Sequence, residues 1–151
     1  MRISAKADYA VRAAVELAAA GDEPMKGEKL SEAQRIPLQF LEHILLELKH
    51  ARLVRARRGA RGGYWLARDP EEITLADVFR AVEGPLANIQ DEAPESTSYP
   101  GRAEPLRDVW IAVRASLRRV LERVTIADLR DGNIPPEVLE LTQDEGAWVT
   151  R

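Results

Sequence analysis

The chain has 151 residues, 45% of them apolar, and a formal net charge of −3, which suits one domain of ordinary size with short appendages. It has no cysteine and only two histidines, which excludes disulfides and cysteine-held metal or iron–sulfur sites and argues against a metalloenzyme. No apolar run reaches the roughly 18 residues that a membrane helix needs, and charged residues interrupt the N-terminal segment where a signal peptide would be apolar, so we expect a cytoplasmic protein without a membrane partner.

The charge is unevenly divided along the chain. Residues 1–68 hold 13 Lys and Arg against 8 Asp and Glu, whereas residues 69–151 hold 9 against 17. Within the first part, residues 49–68 contain seven cations and no acid. Such a basic block indicates a surface that binds a polyanion, or a solvated surface whose arginines pair with acids brought near by folding. The position of the block among the predicted elements favours the first interpretation.

Three helices are predicted in the N-terminal third of the chain. Ser4 is a suitable N-cap for the first, whose apolar residues recur at intervals of three and four. The second, over about residues 27–34, places Leu30 and Ala33 on its apolar side. After a very short link, the third covers about residues 37–50 and begins with a proline, whose missing N–H costs nothing in a first turn. The last two helices thus form a helix-turn-helix.

A β-hairpin is predicted after the third helix. Its two short strands lie at residues 53–57 and 64–67, around a loop that holds Gly59, Gly62 and Gly63. Glycine in such a loop allows a positive φ and a close approach of two backbones. Three helices followed by a hairpin are typical of a winged helix-turn-helix, in which the hairpin is the wing.

A fourth helix is predicted over about residues 75–83, because Thr74 and Asp77 form a T-x-x-D capping box and a Gly-Pro pair ends the helix. The next segment, residues 86–102, is polar and has no periodicity. Loops of this length are usually either functional or flexible linkers. Both interpretations stay open for this one.

A longer amphipathic helix is predicted after the loop. It extends over about 20 residues, which is more than the small N-terminal core can cover, so its apolar stripe indicates a homodimer interface. A short final helix starts at Thr125. The candidate interface residues are Leu106, Val109, Trp110, Val113, Leu117, Val120, Leu121 and Val124.

The predicted fold class is mainly α with a small β-hairpin. We expect a winged helix-turn-helix domain at residues 1–84, a long effector or linker loop at 85–102, a dimerisation helix with a short final helix at 103–131, and a C-terminal tail at 132–151. The sequence contains no G-x-S-x-G motif, phosphate loop or dinucleotide fingerprint, so we do not expect an enzyme. A DNA-binding regulator is the leading hypothesis, and a winged-helix module that binds only proteins is the alternative.

Several sequence motifs together resemble one protein family. The segments IPLQFLEHILLELKHARLVRARRGARGGYWLA and EITLADVFRAVEG, with the later VTIADL, resemble the Rrf2 family of bacterial transcriptional regulators. The similarity extends from residue 1 to about residue 131 and combines a wing of pattern R-G-x-x-G-G-Y with the pattern I-T-L-x-D-V. It implies a homodimer of winged helix-turn-helix domains, a long crossing dimerisation helix and a palindromic double-stranded DNA operator.

The same resemblance bears on cofactors. Well-studied members hold an iron–sulfur cluster through three cysteines of the long loop and a histidine or acidic residue. Here Glu92, Ser98 and Glu104 fall at the cysteine positions and Arg107 at the histidine position, while Asp8 matches the acidic one. Because sulfide-bridged iron needs several soft ligands, we expect no cofactor and no metal site. Members without a cluster respond to a partner enzyme of cysteine synthesis, which implies an effector protein or small metabolite.

The third helix is expected to lie in the major groove with its apolar stripe turned to the core. Gln39 suits the N6/N7 edge of adenine, and Glu42 accepts from cytosine N4 or is a solvated carboxylate. Phe40 packs on a thymine methyl or turns inward to the core. The candidate major-groove residues are Pro37, Leu38, Gln39, Phe40, Glu42 and His43.

The wing is expected to enter a narrow, A·T-rich minor groove. Its candidate residues are Arg57, Arg58, Gly59 and Arg61, and Arg58 matches the minor-groove arginine of the Rrf2 family. Contacts to phosphates position a protein on DNA without reading bases. The candidates for these contacts are Ser4, Lys6, Lys26 and Lys49.

Overall fold

The computed structural model, which describes residues 2–150, is mainly helical with one two-stranded antiparallel hairpin. This confirms the predicted fold class. Met1 and Arg151, the ends of the first and last predicted segments, lie outside the described residues. No helix within residues 2–150 is long and apolar enough to cross a membrane. The elements are α1 (Ala5–Ala20), α2 (Gly27–Gln34), α3 (Leu38–His50), β1 (Val54–Arg57), β2 (Gly63–Leu66), α4 (Leu75–Glu83), α5 (Leu106–Leu121), α6 (Ile126–Asp131) and α7 (Pro136–Leu139).

The core is built around α1. Its buried side is mostly alanine, with Ala7, Ala10 and Ala13 fully covered. Because helix spacing depends on the side chains at the contact, these small residues let α3, α4 and α6 pack closely on α1. Larger side chains fill the remaining space, namely Leu17, Leu30, Leu41, Ile44, Leu45, Leu48, Ile73, Val78 and Ile126.

Two helices begin with capping boxes of the T-x-x-D type. At α4, the Asp77 N–H donates to Thr74 Oγ1 at 3.1 Å, and the Thr74 N–H donates to Asp77 Oδ2 at 3.0 Å. Thr125 and Asp128 repeat this arrangement at α6. Thr74 and Thr125 also pair as a short antiparallel bridge, and Ile126 joins the core. The helix predicted at Thr125, α6, therefore packs with the winged domain, and it is not the last one, because α7 follows it in the predicted tail.

The long helix is shorter than the sequence predicted. α5 ends at Leu121, and Val124 lies beyond it with only 3% of its surface exposed. The Val124 carbonyl accepts from the Leu75 N–H at 2.9 Å. Two residues further on, the Ile126 N–H donates to the Ile73 carbonyl at 2.9 Å. The assignment of Val124 to a dimer interface is therefore wrong, because backbone pairing with the start of α4 buries it within its own protomer.

The loop between α4 and α5 is held against α5. Pro94 is buried in a 3-10 turn, and Thr97 Oγ1 donates to its carbonyl at 2.7 Å. The Arg114 guanidinium of α5 pairs with the Glu95 carboxylate at 2.6 Å. A backbone hydrogen bond, and next the hydrogen bond from Arg114, lower the pKa of Glu95. This packing argues against a freely flexible linker.

Candidate DNA-binding surface

A tight turn joins α2 to α3. α2 ends at Gln34, and its C-cap residue Arg35 adopts the left-handed conformation with φ 53°. The buried Ile36 then donates its N–H to the Ser31 carbonyl at 3.0 Å, which fixes where α3 begins.

On α2 itself, Leu30 is buried but Ala33 is exposed. The prediction for Ala33 is wrong because this eight-residue helix turns only a narrow side to the core.

The side of α3 that faces away from the core carries a small patch of exposed residues. Gln39, Glu42 and His43 are exposed there, as expected from the apolar stripe. Leu46 joins them with 48% of its surface exposed, and the four residues line one shallow depression. Leu46 is not evident as an outward residue from the sequence because leucines surround it in the chain. Its spacing of four from Glu42 and three from His43 is the signal that places it on the outer side.

Two other candidates on α3 are turned toward the protein. The Phe40 ring packs edge-to-face on Tyr9 of α1, with centroids 5.5 Å apart and planes at 76°, and it contacts the core. Leu38 is half-buried beside Gly27. Of the two roles that the sequence left open for Phe40, this packing favours the core. Pro37 is exposed at the N-cap of the helix.

The wing is a regular hairpin attached to the helix-turn-helix. β1 and β2 run antiparallel in a register that ends with Arg57 opposite Gly63, so both strands lie within one residue of their predicted bounds. The Met25 N–H donates to the Tyr64 carbonyl at 2.9 Å, and the Tyr64 N–H donates to the Met25 carbonyl at 2.8 Å. These two bonds tie β2 to the segment that precedes α2.

Glycines make this close approach possible. Gly63 has φ +147°, and a Cβ on it would lie 2.6 Å from the Met25 carbonyl oxygen. A Cβ on Gly62 would lie 2.0 Å from the Arg57 carbonyl oxygen. No side chain fits at such distances, so both positions require glycine. Gly59 at the wing tip has φ +102°, and a Cβ added there would have no neighbouring atom within 4 Å.

Some cations at the wing tip are simply exposed, and others also donate hydrogen bonds to backbone carbonyls. Arg58 and Arg61 are exposed. Arg57 is exposed as well, but its Nη2 donates to the Arg61 carbonyl at 3.0 Å. Lys26 Nζ donates to the Gly59 carbonyl. Arg57 and Lys26 therefore shape the tip in addition to contributing charge.

A groove of about 520 Å³ separates α3 from the wing. Tyr64 forms part of its wall, and burial, followed by the carboxylates of Glu42 and Glu28, raises the pKa of Tyr64. The groove brings the helix and wing candidates onto one surface. The cations that line it are Lys26, Lys49, Arg57 and Arg58.

Two candidates for phosphate contacts lie outside this groove. Ser4 is the N-cap of α1, where its Oγ accepts from the Ala7 N–H at 3.0 Å and donates to the Glu83 carboxylate. Lys6 pairs with Glu47 of α3 at 3.5 Å. Each is engaged with a carboxylate, which would repel a phosphate. That Ser4 and Lys6 contact phosphates stays a prediction, in which DNA would have to compete with these carboxylates for both side chains.

The apolar stripe of α5 is only partly covered within the protomer. None of its 16 residues is buried, and Val109 is 50% exposed. Leu117 faces a concavity of about 510 Å³ whose walls include Ile3, Phe79 and Leu86. The sequence does not indicate that these three residues face α5, because they lie far from it along the chain. An amphipathic helix in this state needs a further surface to cover its apolar side.

The chain is similar to known transcriptional regulators. Residues 3–132 match the Rrf2 family, which is described as an iron-dependent transcriptional regulator. A Mycobacterium tuberculosis protein, described as a candidate HTH-type transcriptional regulator, is 50% identical over 145 residues, which cover 95% of this chain and 90% of that protein. The HTH-type transcriptional regulator CymR of Bacillus subtilis is 32% identical over 133 residues, which cover 85% of this chain and 89% of that protein.

Solved structures of such regulators share the fold. The structure of CymR, called the global cysteine regulator of B. subtilis, has a TM-score of 0.70 at 31% identity and covers 87% of this chain and 97% of that one. T. potens IscR has a TM-score of 0.69 at 30% identity and covers 100% of this chain and 93% of that one. These similar proteins are regulators of transcription and not enzymes, in agreement with the prediction for this chain.

The family description names iron, but this chain lacks a suitable set of iron ligands. The chain has no cysteine, and in residues 2–150 no three His, Asp or Glu side chains converge as metal ligands. At the positions of the cluster ligands, Glu92, Ser98 and Glu104 are exposed and Arg107 pairs with Asp108 at 3.6 Å. Hard oxygen donors and a guanidinium do not replace thiolates, so the residues present do not fit an iron–sulfur cluster.

Proposed function

We propose that this chain, which belongs to the Rrf2 family of transcriptional regulators, is a cytoplasmic repressor that binds a palindromic DNA operator as a homodimer without an iron–sulfur cluster. As a member of that family it is a DNA-binding regulator and not an enzyme. One observation carries the finer proposal: the exposed side of α3 and the basic wing border the same groove. In this proposal residues 1–84 bind DNA, 85–102 respond to an effector, 103–131 supply the dimerisation helix, and 132–151 form a tail.

α3 occupies the major groove in this proposal, because each base pair presents a distinct pattern of donors and acceptors there. Gln39 pairs with the N6/N7 edge of adenine, and Glu42 accepts from cytosine N4. His43 lies beside them on the exposed side of α3. Phe40 supports the helix from the protein side through its contact with Tyr9.

The wing supplies the minor-groove and phosphate contacts. Arg58 at the exposed tip suits insertion into a narrow A·T-rich groove, where the negative potential is strongest. Arg61 and Lys49 are both exposed, and they bind the phosphates that flank this minor groove. Arg57 and Lys26 hold the tip in shape through their bonds to backbone carbonyls.

Dimerisation covers the apolar stripe of α5. Two copies that pack Trp110, Val113 and Leu117 against each other bury side chains that the single protomer leaves partly exposed. A twofold dimer presents two α3 helices to DNA, and helix-turn-helix dimers read half-sites about 34–36 Å apart. The operator is accordingly palindromic. The interface uses the predicted residues except Val124.

The regulatory signal comes from an effector protein or a small metabolite, because the chain does not hold a cluster. CymR, a relative that covers most of this chain, is called a global cysteine regulator. The loop held to α5 by Glu95 and Arg114 is the segment through which an effector reaches the dimerisation helix.

Binding to genomic DNA fragments at several salt concentrations tests this function. Each neutralised phosphate releases counterions, so log K is expected to fall with log salt by about 0.9 per phosphate contact. Sequencing of the retained fragments, with and without cell extract, is expected to return one palindromic motif. A protein that retains no DNA even at low salt would instead be the protein-binding module that the sequence left as an alternative.

Replacing Arg58 by alanine is expected to weaken operator binding more than replacing Arg102, an exposed arginine in the loop before α5. Both variants lose one positive charge per protomer, but only Arg58 lines the groove. Loss of one specific arginine contact corresponds to about tenfold in affinity per half-site, whereas Arg102→Ala is expected to stay within about twofold. Fluorescence anisotropy with the selected operator measures both. Equal losses would mean that only net charge matters.

A further inference from the structure

Leu46 is an apolar side chain in the middle of a polar surface. It is 48% exposed, although α3 has a separate, fully buried apolar side. Gln39, Glu42 and His43 share its depression on the outer side of the helix. Leu46 is not among the residues that form the hydrophobic core or pack against it. An exposed leucine among polar residues points to an apolar group on whatever covers this surface.

The surroundings of Leu46 indicate which partner covers it. Leu46 also lines the groove between α3 and the wing, together with Lys49, Arg57 and Arg58. It therefore lies between the polar residues of α3 and the cations of the wing. A surface with a basic rim and an isolated apolar centre is complementary to DNA, whose phosphates flank the bases. A protein partner would be matched better by a continuous apolar patch.

We infer that Leu46 reads the C5 methyl group of a thymine in the operator. This methyl is the apolar group that a base pair displays in the major groove, and contact with an aliphatic side chain distinguishes thymine from other bases. Leu46 follows Glu42 by one helical turn, about 6 Å along α3, and base pairs are spaced about 3.4 Å apart. The thymine thus lies one or two base pairs from the base that Glu42 contacts. This inference rests on the proposed function and adds a specificity residue to it.

Substitution of deoxyuridine for thymine tests the inference, because it removes the methyl group and nothing else. The probe is the operator duplex recovered from genomic DNA, with one thymine replaced at a time in both half-sites. Burying one methyl group corresponds to about fourfold in affinity per half-site. For the wild type, one position is expected to show this loss. Leu46→Ala is expected to bind the thymine and deoxyuridine forms of that position equally, and to match the wild type elsewhere.

Two further variants complete the experiment. Leu46→Met keeps an apolar side chain and is expected to retain the sensitivity to the methyl group. Leu141→Ala removes a leucine that is 52% exposed in the C-terminal tail and is expected to leave the whole profile unchanged. The inference is overturned if Leu46→Ala keeps the wild-type deoxyuridine profile, or if no position responds. Absence of any selective DNA binding by the wild type would instead overturn the proposed function, and the inference with it.

Discussion

Replacing both Val113 and Leu117 by lysine is expected to give monomers that no longer bind the operator. Both side chains are partly exposed on α5, so the protomer tolerates lysine there while a second copy does not. Each apolar side chain buried at an interface contributes about 1.5–3 kcal/mol, and a buried charge without a partner adds a further penalty. Loss of the second DNA-binding domain also removes an avidity of about 10²–10⁴.

Sedimentation velocity and operator titration measure the two effects separately. The matched control is the pair Ala112→Lys and Ala115→Lys, which adds the same charge at exposed positions on another side of α5. This control is expected to remain dimeric and to bind the operator like the wild type. A well-folded Val113 and Leu117 variant that still sediments as a dimer would show that the interface lies elsewhere.

Replacing Gly62 by alanine is expected to disable the wing and leave the helical core folded. The added Cβ would lie 2.0 Å from the Arg57 carbonyl oxygen, so the hairpin must open or shift. Overpacking of this kind costs about 1–3 kcal/mol, and the wing tip moves with the strand. Displacement of both Arg58 and Arg61 from DNA is expected to lower operator affinity about 100-fold per half-site, on the basis of tenfold for each arginine.

The control for this variant is another glycine beside the same groove. A Cβ on Gly27 would meet Leu38 and Tyr64 at 3.6 and 3.7 Å, which are ordinary contacts. Gly27→Ala is therefore expected to bind the operator within about twofold of the wild type. Far-UV circular dichroism is expected to show the same helix content in both variants. Wild-type affinity in Gly62→Ala would mean that the wing does not take part in binding.

Local signals in the sequence were sufficient for most of the fold. The capping box that predicts α4 involves Thr74 and Asp77, which are three residues apart, and the period of the apolar residues places α1 and α3 without knowledge of their neighbours. Gly62 has the same local character, because the carbonyl that its Cβ would meet belongs to Arg57 of the same hairpin, whereas Gly63 is constrained by Met25, outside the hairpin. The local features were confirmed because their causes lie within a few residues.

The misses have causes that lie far apart in the chain. Val124 continues the helical spacing of α5, but its carbonyl pairs with Leu75, almost 50 residues earlier. Met25 forms a bridge to Tyr64, and a single residue in a bridge leaves no strand pattern to detect. The ion pair of Lys6 with Glu47 at 3.5 Å joins two helices, and no local pattern predicts it. Leu46 differs from its neighbours only in the side of the helix that it occupies.

The attachment of the wing to Met25 has a thermodynamic consequence. A free hairpin that became ordered on DNA would lose conformational entropy worth about 1–2 kcal/mol for each residue fixed. Here the two backbone bonds to Met25, with the bond from Lys26 to the Gly59 carbonyl, order the wing before DNA arrives. Such pre-organisation leaves more of the contact energy for affinity. It also means that the protein, and not the DNA, sets the offset between the major-groove and minor-groove contacts of each half-site.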